Sequence, residues 1–126
     1  RGGLYDPNDL KWAINQGITI ISTDKFYEIG IEETIKIIKD VLEDTSTYFT
    51  FDIDGIDPTF APGTGTPEVG GINVREAQLI IRHLNSLNFI GADVVEVSPP
   101  FDVNNMTSLV GATIAFEILC TMTKTN

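Results

Sequence analysis

Two aspartates, Asp52 and Asp54, close an apolar run from Tyr48 to Ile53 and lead into Gly55-Ile56-Asp57-Pro58. Side chains alternate along a strand, so residues two apart share a face. The spacing therefore aims both carboxylates into one small volume at a strand end. Like charges at close range repel unless something cationic sits between them. Carboxylate oxygens suit hard cations such as Mg²⁺ or Mn²⁺. A third carboxylate, Glu96, stands near the end of another strand-like run, Ala92 to Val97. In open parallel sheets, ligands sit outside the carboxyl ends of the strands. Asp52, Asp54 and Glu96 should then converge on one edge, with no Lys or Arg beside them in sequence. A carboxylate not engaged by metal could hold a guanidinium group through a bidentate pair.

The elements that must position these acids alternate between short β-rich runs and amphipathic helices. Asp6 as N-cap, Pro7 at the first helical position and Gly17 as a stop predict a helix over about 7–16. The β-branched run 17–22 reads as a buried strand. Ile31, Ile35, Ile38, Val41 and Leu42 recur at helical spacing and predict a helix over about 30–44. Tyr48 to Ile53 is the second strand. Gly55 to Ile72 has no periodicity, and a loop of that length in a compact domain is functional or disordered; Phe60, Val69 and the lack of charge runs favour order. Asn73 with Glu76 forms a near capping box ahead of the stripe Ala77, Ile80, Ile81, Leu84 and Leu87. After the third strand, Ser98-Pro99-Pro100-Phe101-Asp102 is a rigid turn. A last helix over about 105–121 is apolar nearly all round and should be well buried. Strands alternating with helices predict an α/β fold with a parallel sheet.

The chain has 126 residues, enough for one domain, and 42% apolar content suits a packed core. Its net charge of −10 argues against nucleic acid and against an anionic membrane surface. No apolar run reads as a membrane span, and no signal-peptide pattern opens the chain. Cys120 is the single cysteine, so no intrachain disulfide forms, and it reads as core packing. Trp12 likewise reads as packing. The chain opens on the glycine-rich Arg1-Gly2-Gly3 rather than on Met, and three parallel strands make a thin sheet. Both features read as a fragment of a larger unit.

The long motif settles the family expectation. Phe51-Asp52-Ile53-Asp54-Gly55-Ile56-Asp57-Pro58, then Ala61-Pro62-Gly63-Thr64-Gly65-Thr66-Pro67 and Gly70-Gly71, resembles the C-terminal metal motif of the ureohydrolases, which include arginase and agmatinase. Val95-Glu96-Val97-Ser98-Pro99-Pro100 resembles the same family's substrate-binding segment. The resemblance covers nearly the whole chain. It implies a three-layer α/β/α arginase-like fold, of which residues 1–126 are the C-terminal part. It implies two Mn²⁺ ions per active site and a metal-activated water that attacks a guanidino carbon, giving urea and an amine. By the same resemblance Asp52 and Asp54 are metal ligands, Glu96 grips the guanidinium group, and Thr66 lies beside it. Asp57 is in the motif but is expected to stabilise the turn. The family's early His, its Asp-x-His-x-Asp cluster and its proton-shuttling His have no match. The single histidine, His83, reads as a helix-surface residue.

Val97 to Asp102 resembles the agmatinase and guanidinobutyrase branch more than arginase. That implies a small cationic guanidino substrate: agmatine, split to putrescine and urea in polyamine biosynthesis, with 4-guanidinobutanoate as the alternative. A trimer or hexamer and a cytoplasmic location, or a mitochondrial one, are implied by resemblance alone. Two other readings fit less well. A haloacid-dehalogenase-type phosphatase also starts from strand plus Asp-x-Asp-Gly, but Thr normally follows where Ile56 stands. An EF-hand loop would need Glu at its twelfth position, which counted from Asp52 is Gly63. A non-catalytic truncated paralogue is the remaining alternative.

Overall fold

The computed structural model describes residues 6–123. The elements run α1 (Pro7–Asn15), α2 (Thr23–Leu42), β1 (Thr47–Asp52), α3 (Val74–His83), β2 (Phe89–Val95) and α4 (Met106–Met122). Short 3₁₀ turns lie at Ile53–Gly55, Pro99–Phe101 and Val103–Asn105. The opening Arg1-Gly2-Gly3 lies outside the described residues.

Local chemistry explains the helix starts. The Asp6 carboxylate accepts from the Asn8 amide at 2.8 Å, so α1 is capped where Asp-Pro predicted. The Ser22 hydroxyl accepts from the Lys25 amide and starts α2 earlier than the apolar stripe suggested. Gly30, at φ 79° and ψ 174°, breaks that helix at the point where the stripe begins. Asn73 and Glu76 complete the expected capping box at the head of α3, with both bonds at 2.8 Å.

β1 and β2 pair in parallel, with Asp52 opposite Val95. The expected strand at 17–22 is absent. That segment has no regular structure, and Ile18 and Ile20 are exposed. Strand propensity alone does not make a strand; a neighbouring backbone must take its hydrogen bonds. The described sheet therefore has two strands rather than three.

The main core lies between the sheet and α3 with α4. Phe49, Phe51, Ala92 and Val94 pack against Ile53, Ile56, Ile81, Ile114 and their neighbours. Tyr48, Thr50 and Asp52 alternate onto the opposite, exposed face of β1. A second cluster joins α2 to the end of α3 through Ile35, Leu84 and Leu87.

α4 differs from expectation. Ile114 and Ile118 are buried, but Leu109, Phe116 and Leu119 are each more than half exposed. The described elements cover one side of the helix only. By length and composition, Val103–Met122 could also cross a membrane, which the sequence reading did not anticipate. Yet Glu117, in mid-helix, is tied to α3. It accepts from Gln78 at 3.1 Å and pairs with the Arg82 guanidinium, whose Nε lies 2.8 Å away. Glu117 thus commits its charge to a neighbouring helix, beside the buried Ile114 and Ile118. Trp12, expected to pack, is exposed. Cys120 is partly buried, and His83 is exposed with its Nδ1 2.7 Å from the Leu79 carbonyl.

Candidate functional site

The parallel register decides the site. Asp52 is the last residue of β1, and its partner Val95 is the last of β2, so Glu96 follows directly at the adjacent strand end. Asp52, Asp54 and Glu96 therefore share the carboxyl edge of the sheet, as the sequence reading expected.

The way Asp52 and Asp54 are placed differs from strand alternation. β1 stops at Asp52, and Asp54 sits in the 3₁₀ turn Ile53–Gly55. The Asp52 carboxylate caps this turn, accepting from the Asp54 amide at 3.0 Å. That side-chain-to-backbone bond brings the two acids together. Ile53, between them, is fully buried and anchors the turn in the core. The Thr66 hydroxyl donates to Asp54 Oδ2 at 2.7 Å, so the expected loop threonine reaches the aspartate from twelve residues away.

Asp57 holds the loop rather than the edge. Oδ1 accepts from the Thr59 amide at 2.9 Å, and Oδ2 from the Gly70 amide at 2.8 Å. Hydrogen bonds from Thr59, then from the Gly70 backbone, lower its carboxyl from 3.8 to about 2. Behind it, Ile56 bridges Ile72 through Asp57 N to Ile72 O at 2.9 Å and Ile72 N to Gly55 O at 3.2 Å. Gly71 fills this crossing, and a Cβ there would lie 2.6 Å from the Asp57 amide nitrogen.

Glu96 is exposed and adopts φ +65°. A left-handed backbone is uncommon for glutamate and costs on the order of 1–3 kcal/mol. Such outliers concentrate where a side chain must be aimed. The chain then turns through Pro99–Phe101 to Asp102, which sequence reasoning treated only as part of a rigid turn. Asp102 instead caps α4: Oδ1 accepts from Thr107 N at 2.8 Å, and Oδ2 from Ser108 N and Ser108 Oγ at 2.7 Å each. Burial pushes the Asp102 carboxyl up, but the bonds from Ser108 and Thr107 outweigh it and leave it lowered. Asn104 and Asn105, both left-handed, carry the chain from Asp102 into the helix.

Oxygen donors of this kind fit a hard divalent cation by type. They do not fit by number: among the described residues, no group of three or more His, Cys, Asp or Glu could hold a metal ion. Asp52 and Asp54 are part of a ligand set at most. An apolar groove between β2 and α4, lined by Ala92, Val94, Ala115 and Ile118, includes none of the edge acids.

The chain is similar to known proteins in both sequence and fold. In sequence, the chain is 51% identical over 120 residues to a guanidinopropionase of Pseudomonas aeruginosa, covering 95% of this chain and 38% of that protein. It is 48% identical over 129 residues to an agmatinase of Neisseria gonorrhoeae, covering 94% of this chain and 41% of the relative. In structure it is similar to proclavaminate amidino hydrolase from Streptomyces clavuligerus (TM-score 0.92, 37% identity, 97% of this chain and 40% of that one). It is also similar to arginase from Bacillus subtilis (TM-score 0.83, 30% identity, 90% of this chain and 40% of that one). The chain thus spans about two fifths of the length of these relatives. The arginase family profile matches residues 2–121, nearly the full length, and the chain belongs to the arginase family.

Proposed function

We propose that residues 1–126 form the C-terminal part of a single ureohydrolase domain, and that the whole protein hydrolyses a guanidino C–N bond to release urea and an amine. The observation that carries this reading is the register: Asp52 and Asp54 stand at one strand end, and Glu96 stands directly beside them at the next. In this reading the pairing sets a proposed cation-binding pair next to a proposed guanidinium-binding carboxylate, and membership of the arginase family supports it. The two-stranded sheet and the exposed faces of α1 and α4 support a larger domain around it.

In this reading Asp52 and Asp54 supply part of the ligand set for two Mn²⁺ ions, and the remaining ligands come from elsewhere in the protein. Bound Mn²⁺ would supply a water of lowered pKa. The residues of this chain position the rest. The Asp52–Asp54 turn bond and the Thr66 hydroxyl hold the two aspartates in a fixed orientation. Glu96, aimed by its left-handed backbone, pairs with the guanidinium group and fixes its plane. The protein acts as a homo-oligomer, a trimer or hexamer, in the cytoplasm or the mitochondrion, with neither nucleic acid nor membrane as partner.

Agmatine, cleaved to putrescine and urea, is the proposed substrate. The 51% identity to a guanidinopropionase favours a second reading, a guanidino acid. The deciding experiment is urea release by the full-length protein with Mn²⁺ from agmatine, 3-guanidinopropanoate, 4-guanidinobutanoate and arginine. Turnover of one of them, abolished by Asp54→Ala, is the expected result. Absence of urea from all four, in a protein that binds Mn²⁺, would refute these substrates and point to a different guanidino or amidino compound, whereas a full-length protein with no Asp-x-His-x-Asp cluster would refute the assignment and leave a non-catalytic paralogue.

A further inference from the structure

Gly63 lies three residues before Thr66, and both its polar backbone groups are spent on other elements. Its amide donates to Thr107 Oγ1 at 2.8 Å, and its carbonyl accepts from the Ser98 amide at 2.8 Å. Thr107 is fully buried in the first turn of α4. Ser98 lies two residues beyond Glu96. There is no slack at the crossing: a Cβ on Gly63 would lie 2.7 Å from Asp102 Cα and 2.9 Å from Thr107 Oγ1.

These bonds join two segments that each carry a group of the site. One carries Thr66, which holds Asp54; the other carries Glu96. We propose that the Thr107–Gly63–Ser98 junction sets the separation between the aspartate pair and Glu96, with Thr107 as a positioning residue for the reaction. This rests on the ureohydrolase reading given above. Thr107 is bonded to Gly63 and Asp102 rather than to Asp52, Asp54 or Glu96, and it acts through Gly63. Removing its hydroxyl leaves the Gly63 amide buried without an acceptor. The glycine must then move, and the Ser98 bond moves with it. A misplacement near 1 Å at a binding carboxylate can cost about 100-fold in rate.

The test uses the full-length protein and Thr107→Val, which keeps the shape and loses the hydroxyl. The expected result is a fall in kcat/KM of about 10–100-fold, mostly as raised KM, with Mn²⁺ content unchanged. Thr107→Ser, which keeps the hydroxyl, should return kcat/KM to within about twofold of wild type. Thr121→Val is the matched control, because Thr121 is a buried threonine at the other end of α4, bonded to the Glu117 carbonyl. It should lower stability and leave kcat/KM alone. A second measurement is independent of turnover: amide hydrogen exchange. The Gly63 and Ser98 amides should lose protection together in Thr107→Val, while the β1–β2 amides keep theirs.

Unchanged kcat/KM in Thr107→Val, or an equal fall in Thr121→Val, would overturn the proposal. If Thr107→Val does not fold, exchange in the wild type decides: Gly63 and Ser98 must open in one step, and independent opening of Ser98 would overturn it. If the wild type releases no urea, the substrate reading falls, and the paired exchange of Gly63 and Ser98 still decides the junction.

Discussion

Replacing Gly71 by alanine tests whether the loop behind the candidate site is as tightly built as its geometry indicates. The new Cβ would lie 2.6 Å from the Asp57 nitrogen, 2.7 Å from the Gly55 carbonyl oxygen and 2.8 Å from the Ile56 carbonyl carbon. Comfortable contacts lie near 3.5 Å, so the two backbone segments would have to part by most of an ångström. No flexible side chain can yield, because all three atoms are backbone. The same segments are joined by the two hydrogen bonds of the Ile56–Ile72 bridge. Overpacking costs roughly 1–3 kcal/mol, and each weakened backbone bond about 1 kcal/mol. Alanine recovers about 0.4–1 kcal/mol by restricting the unfolded chain. The net loss is roughly 2–4 kcal/mol. With an unfolding entropy of about 2.1 cal/mol/K per residue, that is a fall in Tm of roughly 8–15 °C for a 126-residue unit, and proportionally less in a longer chain.

Gly65→Ala is the internal control, since its Cβ would meet nothing within 4 Å. Its effect should stay within about 0.5 kcal/mol. Thermal unfolding followed by circular dichroism, on wild type and both variants of the full-length protein, makes the comparison. Urea release should fall in Gly71→Ala as well, because Gly55 ends the turn that carries Asp54 and Asp57 follows two residues later. A Gly71→Ala protein that melts with Gly65→Ala would refute the reasoning, and the crossing would then be looser than its distances imply.

Two further outcomes follow from the same structure. The Asp57 carboxyl is lowered from 3.8 to about 2 on folding, so its contribution is present above pH 3.8 and is lost as pH falls through 2. Melting curves from pH 6 down to pH 2 should show the wild type losing stability more steeply than Asp57→Asn below pH 4; equal slopes would show that the Thr59 and Gly70 bonds do not hold it. Ile114, fully buried against the sheet, should cost roughly 2–5 kcal/mol on truncation to alanine. The denaturant midpoint reads this directly, and a loss under about 1 kcal/mol would mean that the α4 seam can collapse around the gap.

Elements with local causes, and the chemistry of the edge, could be read along the chain. Asp6-Pro7 started α1, and Asn73 with Glu76 started α3, because a cap needs only side chains a few residues away. The Asp-x-Asp-Gly motif and Val95-Glu96 marked the acids, since residue type and strand-end position are written in order along the chain. The family followed from the length of the motif, and the profile match over residues 2–121 agrees.

What needed the tertiary structure depends on partners distant in sequence. The run 17–22 has strand-forming residues but no neighbouring backbone among the described residues to take its hydrogen bonds, so it forms no strand. α4 looks uniformly apolar, and only packing separates buried Ile114 and Ile118 from exposed Phe116 and Leu119. Asp52 and Asp54 meet through a capped 3₁₀ turn rather than by alternation, because β1 ends one residue sooner than its apolar run. Thr107 with Gly63, between the two site loops, left no local signature: their bond spans forty-four positions and forms only once the helix has docked. The Asp102 cap is local, but two left-handed asparagines separate it from the helix it caps.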